Sequence, residues 1–383
     1  MGFKAFRVPN NIIFDEGAFD YLGTLTGDRA VIVTGGSSMR RLGFLEKAQT
    51  ILEDAGFEVD IIDGVEPNPS VKTVNRGAEQ MREFKPDWIV ALGGGSAIDA
   101  AKIMWTFYEH PDLDFEDVIE VNSIPDLRKK SHFVAIPSTS GTASEITAFS
   151  VITDTDEHIK YPIVSKEIIP DIAIVDPAVP ATMPPHITAN TGMDVLAHAI
   201  ESYVSSGANS YTLPLAMEAI ELVFEYLPKA YHDGDDMEAR YHMHNASTIA
   251  GMAFSNSSLG LVHSLAHKIG GMFGVTHGLA NAILLPYICK YNMKGTDRFK
   301  EIEDKLGISD LIEKIKKLNK ELGIPLQFSA LEEVDEAKFE EAVSEMSENA
   351  YKDPCTLTNP RKTNPEDVEK IYRYSFKGKE VDF

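Results

Sequence analysis

The sequence predicts an α/β protein in two parts: a doubly wound, mostly parallel sheet over residues 1–181 and an all-helical domain over residues 182–383. Three observations carry this. Apolar runs of strand length alternate with amphipathic runs of helix length as far as residue 136. Two of those strands lead into glycine-rich or hydroxyl-rich loops, and beyond residue 181 only helical periodicity continues. A chain of 383 residues also exceeds the range in which one hydrophobic core keeps growing.

The elements follow in order. AVIVT at 30–34 reads as a buried strand, Gly35-Gly36 as a turn, Phe44–Ala55 as an amphipathic helix and Glu58–Ile62 as a second strand. The unit repeats with a helix over Val71–Phe84, a strand WIVAL at 88–92, a helix reaching Phe107 and a strand HFVAI at 132–136. Five prolines between 170 and 185 are expected to interrupt regular structure, which puts the boundary near residue 181. Helices are then expected at 188–204, 212–230, 237–252, 258–271 and 278–290, with more between 297 and 350 and a last one over DVEKIYRYSF.

Composition narrows the function classes. A formal net charge of -23 repels nucleic-acid phosphates and anionic membrane surfaces, so neither partner is expected. An anionic nucleotide could still bind where backbone amides and helix N-termini supply a local positive field. Two cysteines, Cys289 and Cys355, make neither a disulfide framework nor a thiolate cluster, and no export signal or membrane span is visible. A cytoplasmic protein is expected.

Gly93-Gly94-Gly95-Ser96 follows a strand directly and opens a helix. Glycines there let a phosphate approach the backbone, and the first amides of the helix donate to it. Asp99 is read as a first-turn residue able to cap free amides or touch a ribose hydroxyl. The loop Pro137-Ser138-Thr139-Ser140-Gly141-Thr142 follows the neighbouring strand and should emerge at the same carboxyl edge, where open α/β sheets bind ligands. The end of the first strand bears on which nucleotide binds. An acidic residue there would accept the ribose 2′-hydroxyl and repel a 2′-phosphate, whereas this chain has Gly35, Gly36, Ser37 and Ser38, followed by Arg40 and Arg41. NADP(H) is therefore expected over NAD(H).

Asp194 and His198 stand four residues apart on one apolar helix, and His263 and His267 repeat the spacing on another. A Gly270-Gly271 break lets the chain return with His277. A single histidine on such a helix is ordinarily a core residue. Five polar groups on apolar faces cost desolvation together, and a divalent cation relieves that cost. One carboxylate with imidazoles suits Fe(II), Zn(II), Ni(II) or Mn(II); Fe(II) is favoured, with Zn(II) the alternative, because catalysis needs an open position.

Together GGGSAID, PSTSGTASE, GMDVLAHAIE, GLVHSLAHKIGG and HGLANAILLPY resemble the iron-containing (group III) alcohol dehydrogenase family, and VEPNPSV, MAFSNSSLG and KGKEVDF are similar to its NADPH-dependent butanol dehydrogenases. The resemblance implies metal ligation by Asp194, His198, His263 and His277, with His267 near substrate and nicotinamide. It implies cofactor contacts from Gly94, Gly95, Ser96, Asp99, Ser138, Thr139, Thr142 and Lys160, to which Asn68 of VEPNPSV is added. It also implies a homodimer. Where the family often carries proline, this chain has Thr276, which bears on the placement of His277.

The expected chemistry is hydride exchange between a short-chain primary alcohol or aldehyde, such as butanol, and nicotinamide. A metal polarises the substrate oxygen, and His267 relays or positions a proton. A glycerol-type dehydrogenase, a dehydroquinate-synthase-like lyase and a nucleotide or metal sensor without turnover are the competing readings. The lyase wants several cations near the metal, and the helices at 188–204 and 258–278 offer only Lys268.

Overall fold

The computed structural model describes residues 5–155 and 159–383. They divide into two compact units, Arg7–Thr182 and Met183–Phe383. Phe6 goes with the second unit, where its ring lies 6.0 Å from that of Tyr211.

The first unit contains β1 (Asn11–Phe14), β2 (Arg29–Gly35), α1 (Ser38–Arg41), α2 (Phe44–Asp54), β3 (Glu58–Val65), α3 (Val71–Phe84), β4 (Trp88–Gly93), α4 (Gly95–Glu109), β5 (His132–Pro137), β6 (Phe149–Asp154), β7 (Ile159–Val164) and β8 (Ile172–Val175). Six strands form one parallel sheet in the order β1-β8-β5-β4-β2-β3. Its strands are apolar on both faces. Val31, Val33, Ile89, Ala91, Phe133 and Ala135 enter one core, while Ala30, Ile32, Val90, Leu92, Val134 and Ile136 enter the other. Helices cover both faces, as a buried parallel sheet requires.

Strand order reverses between β2 and β4, since β3 lies outside β2 on one side and β5 follows β4 on the other. A crevice opens at such a switch point, beyond the carboxyl ends of the strands. Gly35 and Gly93 end these two strands.

Three features differ from the sequence reading. The prolines near 170–185 flank a strand instead of abolishing it, because Pro170 and Pro177 lie outside β8 and all four β8 residues are buried. β1 pairs with β8 at the sheet edge, and its four residues are too few for a recognisable period. β6 and β7 form a separate antiparallel pair in which Pro162 is tolerated.

The second unit contains α5 (Pro185–Val204), α6 (Thr212–His232), α7 (Met237–Ser257), α8 (Leu261–Phe273), α9 (His277–Asn292), α10 (Arg298–Leu306), α11 (Leu311–Glu321), α12 (Glu336–Tyr351) and α13 (Pro365–Lys377). No strand occurs among its described residues. Pro185 occupies the first turn of α5, where its missing N–H costs nothing. From Gly192 to Val204 every residue of α5 is buried, which marks it as the central helix. It packs on α6, α7 and α9, and α9 packs in turn on α8. The helices that carry Asp194, His263 and His277 are thereby brought to one place.

Candidate metal centre and nucleotide loops

Asp194 and His198 lie one turn apart on α5, His263 projects from the first turn of α8, and His277 is the first residue of α9. One ligand atom from each of the four lies within 4.8 Å of all the others. Asp194 Oδ1 is 4.0 Å from His198 Nε2, 3.7 Å from His263 Nε2 and 3.6 Å from His277 Nε2. Tetrahedral ligands about 2.1 Å from a metal stand about 3.4 Å from one another, so the set is close to metal-binding spacing.

Asn281, one turn beyond His277, tests that fit. Its Nδ2 is 2.6 Å from Asp194 Oδ1, 3.2 Å from His263 Nε2 and 3.1 Å from His277 Nε2, while its buried Oδ1 has no hydrogen-bond partner. An amide that turns its donors toward a convergence of acceptors and orphans its own oxygen marks a place for positive charge. A divalent cation fits these donors.

Electrostatics agree. Burial alone would raise the Asp194 carboxyl, but His198, His277 and His263 hold it well below the usual carboxylate range. Burial and the neighbouring imidazoles depress His277 against the pull of Asp194. Burial also opposes charge on His263, yet the carboxylates of Asp194 and Glu201 outweigh it and raise that ring. The side chains of Asp194, His198 and His263 are at most 5% exposed, whereas His277 is 38% exposed, so the cluster opens on the His277 side.

His267 stands beside the set and outside it. Its ring stacks on His277 with centroids 5.3 Å apart, is 31% exposed, and directs Nδ1 to Asp353 Oδ2 at 3.2 Å. Thr276 takes φ -63° and ψ 142°, angles a proline would also adopt. His242 stacks on Tyr226 and His244 is buried in α7, and neither belongs to the cluster.

Sequence reasoning missed three residues here. Asn281 follows His277 at helical spacing, and Glu201 follows His198 by three residues, so periodicity could have found both. Asp353 lies 86 residues from His267 and carries no local signal.

In the first unit the two loops are stitched together. The Ser138 amide donates to the Gly93 carbonyl at 2.9 Å, and a Cβ on Gly95 would fall 2.8 Å from Thr142 Oγ1, so only glycine allows this approach. Gly94 is the N-cap of α4, which starts at Gly95. Ser138 and Thr139 are half-buried and Thr142 is exposed. The Asn68 amide lies 3.4 Å from Ser96 Oγ. Thr153, which pairs with Lys160 across the hairpin, bridges to Ser70, so exposed Lys160 belongs to the same neighbourhood.

Asp99 requires a correction. Because α4 begins at Gly95, it lies in the second turn and caps nothing; Oδ2 accepts from the Val151 amide at 3.0 Å. Burial raises its carboxyl despite Lys102 nearby. At the end of β2, Gly36, Ser37 and Ser38 are exposed. Arg40 is engaged by Asp63 at 3.3 Å and Glu46 at 3.6 Å, while Arg41 is exposed.

Comparison with known proteins yields family matches over most of the chain. Residues 9–177 match iron-containing alcohol dehydrogenase, and residues 188–376 match the C-terminal part of the Fe-containing alcohol dehydrogenase family. The NADPH-dependent butanol dehydrogenase of Clostridium saccharobutylicum is 49% identical, with 99% of each chain covered. An aldehyde-alcohol dehydrogenase of Streptococcus pneumoniae is 40% identical over 97% of this chain, which spans 46% of that longer protein. The iron-containing alcohol dehydrogenase from Thermococcus thioreducens superposes with a TM-score of 0.91 at 39% identity, covering 98% of this chain and all of the other.

Proposed function

Since the chain belongs to the iron-containing alcohol dehydrogenase family, we propose that it is an NADP(H)-linked enzyme interconverting short-chain primary alcohols and aldehydes. The observation that carries the reading is the buried convergence of Asp194, His198, His263 and His277 around the Asn281 amide. These four residues would hold one divalent metal, Fe(II) being favoured and Zn(II) the alternative. Such an ion supplies Lewis acidity to the substrate oxygen, and the nicotinamide supplies or takes the hydride.

The chain's own residues do the rest. His267 gives Nδ1 to Asp353, which leaves Nε2 to hold or pass the proton of the substrate hydroxyl. Gly94, Gly95 and Ser96 offer amides and a hydroxyl to the pyrophosphate at the start of α4, with Asn68, Ser138, Thr139, Thr142 and Lys160 around them. Gly35, Gly36, Ser37 and Ser38 leave room and donors for a 2′-phosphate, with Arg41 as the nearby cation. Asp99 acts from behind, holding the β6 amide of Val151 against α4. A cytoplasmic homodimer completes the reading.

The test is anaerobic purification with elemental analysis, followed by C2 to C6 aldehydes with NADPH and NADH. About one equivalent of metal and faster oxidation of NADPH support the proposal. A metal-replete protein that consumes neither cofactor with any aldehyde overturns it.

A further inference from the structure

Glu201 lies at the end of the motif that carries Asp194 and His198, and it is buried in α5. Its two oxygens are divided between two tasks. Oε1 accepts from the Val262 amide at 2.6 Å, and Oε2 accepts from His263 Nδ1 at 2.6 Å, with the His263 amide at 3.4 Å. Val262 and His263 are the second and third residues of α8, whose N-cap, Gly260, has no side chain to offer. A Cβ at Gly260 would fall 2.8 Å from Glu201 Oε1, so the glycine admits the carboxylate to the helix end. The first amide of α8, Leu261, goes to Asn359 Oδ1 at 3.3 Å.

A carboxylate only accepts hydrogen bonds. His263 must therefore keep a proton on Nδ1, so Nε2, 3.7 Å from Asp194 Oδ1, is the ring nitrogen left to offer its lone pair to a metal. We infer that Glu201 is a positioning residue for the metal: it caps α8 and fixes His263 in the tautomer that ligates through Nε2. Two buried carboxylates, Asp194 and Glu201, also balance the charge of one divalent ion. This rests on the metal-centre reading above.

Glu201→Gln separates the two tasks. If the glutamine carbonyl stays on the Val262 amide, its NH2 faces His263 Nδ1 and donates to it, which drives the ring proton onto Nε2 and blocks ligation. Carboxylate partners of ligating histidines typically contribute 10- to 100-fold in metal affinity. With Zn(II) as the probe, measured by competition against a chelator, the variant should bind about 10- to 100-fold more weakly than wild type. The metal-free variant should melt within about 3 °C of the metal-free wild type, because the cap survives. Affinity within twofold of wild type would reduce Glu201 to a helix cap and overturn the inference. Should the variant fail to fold, histidine-labelled wild type loaded with Zn(II) decides by long-range 1H–15N correlation. A protonated Nδ1 and metal-bound Nε2 on His263 support the inference, and the reverse assignment refutes it. His198→Ala keeps the two readings apart: if wild type binds no Zn(II), or His198→Ala binds as tightly, the metal centre itself is wrong.

Discussion

Gly278 follows His277 directly and occupies the second position of α9. A Cβ there would lie 2.2 Å from the Asn190 carbonyl oxygen and 2.7 Å from its carbon, both backbone atoms of α5 one turn before Asp194. No rotamer change can relieve a clash with backbone. Reaching ordinary contact of about 3.5 Å requires α5 and α9 to part by about 1 Å. His277 Nε2 and Asp194 Oδ1, now 3.6 Å apart, ride on those two helices, whereas metal–ligand distances tolerate only about 0.2 Å. Gly278→Ala should therefore strike the metal site harder than the fold. Alanine returns about 1 kcal/mol of helix propensity against an overpacking cost of about 1–3 kcal/mol, a net loss of about 0–2 kcal/mol. Metal binding should weaken at least about tenfold, equivalent to about 1.4 kcal/mol. Melting curves with and without Zn(II), with chelator competition, measure both quantities. An unchanged gap between loaded and metal-free melting temperatures, with the metal-free value unchanged or raised, would show that α5 and α9 do not meet this closely.

His267→Ala should lower turnover by about 10²–10⁴-fold while metal content stays at the wild-type level; unchanged turnover removes the ring from the mechanism. Gly35→Asp should move the ratio of kcat/KM for NADPH over NADH at least about tenfold toward NADH, since the new carboxylate repels a 2′-phosphate. The added Cβ would lie 3.0 Å from the Val65 carbonyl oxygen, so a small loss of stability should accompany it, and an unaltered ratio would sink the assignment of the β2 end. Burial works against the Asp353 carboxylate, but His267 and Lys268 hold it well below the usual carboxylate range. A carboxyl depressed in the folded state contributes stability above its unfolded value, about 3.9, and loses that contribution as pH falls. Asp353→Asn should accordingly flatten the acid limb of the melting temperature between about pH 5 and pH 3, and a limb as steep as in wild type would show that the pair is not stabilising.

Legibility in the sequence followed the range of the interactions involved. β2, β4 and β5 announce themselves because a strand buried on both faces must be continuously apolar, and α3 because its apolar positions recur at helical spacing between Ser70, which caps its first turn, and Lys85. The metal cluster was legible for a related reason: Asp194 and His198 are fixed by local geometry at i and i+4, His263 and His267 repeat that spacing, and five polar groups on apolar helices demand an explanation. What stayed hidden was decided at long range. β8 is a strand because β1 and β5 flank it, which no count of prolines around it could disclose. Glu109 reads as an ordinary acidic residue at a helix end. In the fold it accepts the Trp105 indole N–H and the backbone amides of Arg128, Lys129, Lys130 and Ser131, gathering a loop some twenty residues away. Asp353 is hidden in the same way, since its tie to His267 exists only after α8 and the segment at 353–358 have packed. Sequence periodicity thus finds the groups that share a helix, and folding alone supplies the partners that orient them. Asp194 and His198 fall in the first class, and Asp353, the hydrogen-bond partner of His267, falls in the second. Tests of ligand identity can therefore be designed from the sequence, while tests of proton placement require the structure.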